Sequence, residues 1–150
     1  MNFGSTVRRW ANLLNGATPI GLAIARLGHA TTRPGPDGLT LAEGYRFRFP
    51  AASAFTIGNV LITSRTFPEL TARLPRVIAH EARHSTQYVV LGWAFLPLYV
   101  LYLPLSYALT RDRALGHPLE ILAGLDDGGY RPDPSEPRHR NPVLSPSDKE

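Results

Sequence analysis

At 150 residues, with 43% hydrophobic and 19% charged content, the chain is long and apolar enough for one packed core, and its composition excludes a wholly disordered protein. The formal charge of +4 rests on scattered arginines with only Arg8 and Arg9 adjacent, which argues against a nucleic-acid-binding stripe while favouring an anionic membrane surface. There is no cysteine, so disulfides, thiolate zinc sites and cysteine nucleophiles are excluded, and any metal must be held by His, Asp or Glu.

The first segment, 1–14, has no uninterrupted apolar core before a small-residue cleavage site, so no secretory signal is read and a cytoplasmic setting is expected. Residues 5–28 read as two helices. Val7, Trp10, Leu13 and Leu14 follow helical spacing, Gly16 and Pro19 interrupt, and the run Ile20 to Ala25 resumes. Core packing is the expected role of these helices, with an interfacial helix bearing Arg8, Arg9 and Arg26 as the alternative. Residues 31–38, rich in Pro and Gly, read as a loop. Leu39 to Ala42 and then Tyr45 to Phe49 alternate apolar and polar side chains, which predicts strands around a turn or bulge at Glu43-Gly44. Phe55 to Thr63 predicts a further strand, antiparallel to the last, in which Gly58 marks a bulge or a close backbone approach.

Next comes the stretch that carries chemistry. His80-Glu81-Ala82-Arg83-His84 lies in a segment, about 74–91, that reads as a helix with Pro68 or Pro75 in its first turn. On a helix, His80 and His84 sit one above the other on a single face, where two neutral imidazoles can hold Zn²⁺. Glu81, beside the first of them, is placed to take a proton from a water polarised by that metal. A third ligand must come from elsewhere. Glu120, on a short helix over about 118–125, can approach from the opposite side, and small Ala123 and Gly124 would let that helix pack closely. His117, three residues earlier, is the competing ligand, or else a helix cap beside Pro118. Asp126 and Asp127 are candidate acceptors for an imidazole N–H, or turn residues.

Between the two helices, residues 89–109 run for twenty-one residues without a charge. That length would just span a bilayer, but Pro97 and Pro104 interrupt it. Buried core, a hairpin dipping into a membrane and a true span are the three readings, making the protein soluble, peripheral or integral. Residues 129–150 carry prolines among many charges and are expected to be a disordered tail, leaving 1–128 as one domain.

Taken together, Phe55 to Val60, His80-Glu81-x-x-His84-x-x-Gln87, the apolar Leu91 to Ser106 stretch and Glu120-x-x-Ala123-Gly124 resemble small bacterial gluzincin-type metallopeptidase-like domains. The resemblance covers roughly 39–128 and implies an α+β, minimal zincin-like core. In it a small antiparallel sheet or hairpin, about 39–63, packs beside the metal-binding helix and a Glu-bearing helix. It implies Zn held by His80, His84 and Glu120, Glu81 as general base, and hydrolysis of a peptide or protein substrate. An edge strand at Ile57, Gly58 and Asn59 would hold that substrate by β-augmentation. Tyr107, Arg111 and Tyr130 are candidates to stabilise the oxyanion. Gly124 stands where such proteins often carry an acidic residue. The alternatives are a non-catalytic metal-binding or structural module and a small membrane-associated protein.

Overall fold

The computed structural model describes residues 3–48, 50 and 52–130; from residue 131 on, the expected tail lies outside them. Two helices open the chain, α1 (Phe3–Leu14) and α2 (Ala17–Leu27), and turn at Gly16, whose φ of 82° is readily available only to glycine. Strands β1 (Thr31–Pro34), β2 (Thr40–Glu43), β3 (Phe55–Ile57) and β4 (Val60–Ile62) form one sheet in the order β1-β2-β4-β3. Helices α3 (Phe67–Arg73), α4 (Val77–Leu91), α5 (Phe95–Thr110) and α6 (Pro118–Ala123) follow.

The architecture is α+β as expected, but the sheet is mixed. β2 pairs parallel with β4, while β1–β2 and β3–β4 are antiparallel. Three expectations change. Residues 31–34, read as loop, form β1; Pro34 is tolerated because β1 is an edge strand, where a missing N–H costs no ladder bond. The alternating run at 45–49 forms no strand over its described residues. Its backbone bonds go to different partners, Tyr45 N–H to the Thr63 carbonyl and Arg46 N–H to that of Gly28, so no ladder can propagate. Residues 55–63 are a hairpin rather than one strand. Gly58, at φ 59°, is the first of its two turn residues, and a Cβ there would lie 2.4 Å from the Thr18 backbone nitrogen. The close approach read at Gly58 is therefore to α2.

Val60, Leu61 and Ile62 are fully buried, because β4 is covered on both faces. Leu61 packs with Phe67, Leu70 and Val77 on the α3 and α4 side. Val60 and Ile62 pack with Ala25 of α2 on the other. Gly21 lets α2 lie directly on the hairpin, since a Cβ would come 2.4 Å from the Ile57 carbonyl. The first-turn proline Pro68 belongs to α3, which Thr66 and Glu69 close with a reciprocal capping box. The motif helix starts later than expected, at Val77.

Helical structure continues from α4 through a 3₁₀ turn at Gly92–Ala94 into α5, and the stretch Val77–Thr110 is long and apolar enough to cross a membrane by length and composition. Gly92, at φ 53° and ψ −130°, breaks it into two helices. The reading of 89–109 as buried core fails for α5: only Phe95 and Ser106 of its residues are buried.

Candidate metal centre

Helix α4 turns a polar stripe inward. Val77, His80, Glu81, His84, Ser85 and Tyr88 recur at helical spacing and are all buried. Buried imidazoles and carboxylates demand partners, and the partners found here fix the proton positions. His80 Nδ1 lies 3.0 Å from the Gly124 carbonyl, which can only accept, so Nδ1 carries the hydrogen. Gln87 donates its amide N–H to the Leu119 carbonyl at 2.8 Å, which leaves its Oε1 to accept from His84 Nδ1 at 2.9 Å. With Nδ1–H so engaged, each imidazole turns its Nε2 inward, where a neutral ring offers a lone pair.

Those two nitrogens are 3.1 Å apart, and Glu120 Oε2 stands 3.1 Å from His80 Nε2 and 3.5 Å from His84 Nε2. Glu120 Oε2 is buried and has no hydrogen-bond donor; its other oxygen accepts from the Tyr99 hydroxyl. Three such atoms converging in a buried site repel one another as bare acceptors, and either a proton or a metal ion among them relieves this. Tetrahedral coordination at about 2.0–2.1 Å per bond puts ligand atoms about 3.3–3.4 Å apart, close to the spacings found. His80, His84 and Glu120 form a group that could hold a metal ion, and the donor set fits one.

The electrostatics point the same way. Burial alone would raise the Glu120 carboxyl, but the His80 and His84 imidazoles facing it hold it well below the usual carboxylate range. For His84, burial opposes the charged form, and the Glu120 and Glu81 carboxylates outweigh it and push the imidazole up. The cluster attracts positive charge. Glu81 is pushed up, chiefly by burial, against the opposing influence of His84 and of Thr56, whose hydroxyl donates to Glu81 Oε2 at 2.6 Å.

Gly124 stands where the resembled domains often carry an acidic residue that could orient His80. The Gly124 main chain supplies the acceptor instead. Gly124 has φ 89°, and a Cβ there would lie 2.7 Å from Arg83 Nη1. Arg83, which had no role in the sequence, donates to the Ala123 carbonyl and to Asp127 Oδ2, each at 2.6 Å. This clamp fastens the end of α6 to α4. The Arg83 guanidinium holds the Asp127 carboxyl below its ordinary value, with Arg76 adding to it. Asp127 thus serves a guanidinium, and among the described residues no imidazole bonds to Asp126 or Asp127.

His117 is fully buried outside the cluster. Its Nε2 donates to the Tyr99 carbonyl at 2.9 Å, and it occupies the N-cap position of α6 without a side-chain cap bond. Of the three oxyanion candidates, the structure brings Tyr130 to the cluster, its ring centroid 5.8 Å from that of His80. Tyr107 and Arg111 lie exposed at the far end of α5 and just beyond it. Ile57 and Asn59 are buried, and Gly58 packs on α2, so these residues offer no free face to a substrate. Asn59 instead accepts from Asn12 at 3.0 Å and from Ser85 at 2.8 Å, tying α1 to the motif helix. The edge strand meets the site one residue earlier, at Thr56. Thr56 and Tyr99 are the site residues the sequence did not reveal. Only the packing of β3 and α5 against α4 and α6 brings them in, and no spacing signals it.

Compared with protein-family models, curated proteins and solved structures, the chain matches none.

Proposed function

We propose that the chain is a zinc-dependent peptidase in which His80, His84 and Glu120 hold the metal and Glu81 is the general base. The observation that carries this reading is the convergence of three buried lone pairs, with a raised carboxyl one residue from the first ligand. Zinc bound there would supply a Lewis acid that acidifies water and polarises a carbonyl. Glu81, whose burial raises the proton affinity of its carboxylate, is suited to accept the proton from that water and return it to the departing amine. The Thr56 hydroxyl fixes which way the Glu81 carboxylate turns. Tyr130, whose ring lies beside that of His80, supports the reading as a hydroxyl donor near the cluster.

One observation favours a second reading, a metal-binding module without turnover: His80 and Glu120 are each only 2% exposed, and a catalytic site keeps a position open. Metal analysis together with turnover of a peptide mixture separates the two. The peptidase reading expects zinc in the wild type, none in His84→Ala, cleavage abolished by a chelator, and a Glu81→Gln variant that keeps zinc and loses cleavage. Zinc without cleavage establishes the second reading; absence of any metal overturns both.

A further inference from the structure

Helix α1 is inside out for a protein surrounded by water. The residues it buries are Ser5 and Asn12, whereas Phe3, Val7, Trp10 and Leu14, which recur every three or four positions, are exposed. Asn12 makes the inward contacts: its amide donates to Asn59 Oδ1 and, at 2.8 Å, to the Ser85 carbonyl, while Asn15 donates to the Tyr88 carbonyl at 3.1 Å. Polar side chains joining helices while apolar ones face outward is the packing found where the surroundings are lipid.

Helix α5 repeats the pattern. One stripe, Phe95, Tyr99, Tyr102 and Ser106, faces α4, α6 and the loop before α6. Phe95 packs on Tyr88, Tyr99 reaches Glu120, Tyr102 meets His117, and Ser106 accepts from Gly116 N–H. The other sides expose Leu96, Val100, Leu101 and Leu105, and Leu109 is exposed at the helix end. Both tryptophans of the chain lie on these surfaces, Trp10 57% and Trp93 50% exposed. The two surfaces meet where Trp93 lies against Gly16, at the corner between α1 and α2.

Charge identifies the occupant. Residues 1–36 contain no Asp or Glu but hold Arg8, Arg9, Arg26 and Arg33, and no acidic residue occurs between Glu81 and Asp112. Arg111 and Arg113 follow α5 directly and are exposed, as are Arg9 and Arg26. An apolar surface with tryptophans, on helices that contain no Asp or Glu and carry or precede exposed arginines, matches the acyl region and phosphates of an anionic bilayer.

We infer that the outward faces of α1 and α5 seat this protein on an anionic phospholipid bilayer without crossing it. α5 has 16 residues, about 24 Å of helix at 1.5 Å per residue, against a hydrocarbon thickness of about 30 Å. The Gly92 turn separates it from α4, whose His80, Glu81, Arg83 and His84 do not belong in hydrocarbon.

The test is co-sedimentation of the full chain with vesicles of phosphatidylcholine and phosphatidylglycerol at 3:1, with brominated phosphatidylcholine as a quencher of its own two tryptophans. Binding, quenching, and a decrease of at least about tenfold in the Leu101→Glu/Leu105→Glu variant at unchanged far-ultraviolet dichroism are expected. Binding to pure phosphatidylcholine should be several-fold weaker, and raised salt should reduce the difference. The tryptophan quenching reads the wild type, so it stands even if the double variant misfolds. Wild type left in the supernatant and unquenched overturns the inference, as does a folded double variant that binds equally well. A dimer in detergent-free buffer that ignores vesicles and is split by the double variant would assign the face to a second copy.

Discussion

The α4–α6 junction and the outer faces of α1 and α5 break the usual division of polar and apolar residues in opposite directions. At the junction, imidazoles and carboxylates are buried; on α1 and α5, tryptophans and leucines are exposed. The first inversion is satisfied almost completely from within, by the Gly124 carbonyl, Gln87, Tyr99 and the Arg83 clamp. Besides the Tyr88 hydroxyl and His117 Nδ1, what it leaves over is a defined gap where His80, His84 and Glu120 face one another. The second inversion is diffuse, a whole surface left exposed among the described residues. A precise gap calls for a small, directional ligand such as a metal ion, and a diffuse one calls for a fluid, non-directional partner such as lipid.

The sharpest way to break the contrast is at the base. Replacing Glu81 with Gln should lower peptide turnover by about 10²–10⁴-fold while zinc content, read by mass spectrometry, stays as in the wild type. Loss of the metal as well would make Glu81 part of the holding site. Glu120→Ala should release zinc; unchanged stoichiometry would remove Glu120 from the ligand set. Second in size is the inner stripe of α5, where Phe95→Ala should cost about 3–5 kcal/mol on thermal unfolding, since Phe95 is buried on Tyr88 and near His84. On the outer stripe of the same helix, Leu101→Glu should cost under about 0.5 kcal/mol in detergent-free buffer. Equal costs would show that the outer face is covered within the protein.

Smaller effects test the supports. Gln87→Ala should weaken zinc binding by about 10–100-fold in a chelator competition without changing the fold. Asn12→Ala should cost about 1–3 kcal/mol, because Asn59 and Ser85 would be left with buried polar atoms short of a partner. The smallest effect concerns acid. Asp127 beside Arg83, and Glu43, which accepts from the Phe67 backbone N–H and from Arg33, both have carboxyls held below their ordinary values. A depressed folded value stabilises above the unfolded pKa of about 4 and is lost as pH falls through the folded one. Through these two groups denaturant midpoints should decline as the pH falls below about 4; substituting Asn at Asp127 should make that decline shallower.

Periodicity read correctly wherever one partner dominates a segment. The break at Gly16, the helix carrying His80 and His84, and the short helix after Pro118 are local matters of spacing, φ and proline placement. It failed where neighbours decide. Tyr45 to Arg48 alternates like a strand, yet its N–H groups find the Thr63 and Gly28 carbonyls separately. Thr31 to Pro34 looks like a loop, yet β2 offers it an edge. The apolar stripe of α1 predicts a buried face, but packing turned Ser5 and Asn12 inward, because α4 presents carbonyls and a hydroxyl there rather than a greasy groove.

For this protein the sequence alone determined the chemistry on offer: no thiols, two imidazoles four residues apart with a carboxylate between them, a glutamate on a later helix, and a long uncharged run. Covalent spacing and helical geometry make those inferences local, and so they survive any tertiary arrangement. Tertiary structure decided what that chemistry meets. It chose Glu120 over His117 for the cluster, assigned His80 to a main-chain carbonyl, brought Thr56 and Tyr99 to the two glutamates, and set the uncharged run with only one stripe inward. Each of these depends on residues far apart in the chain competing for one buried donor or one surface, and no sequence spacing encodes the result.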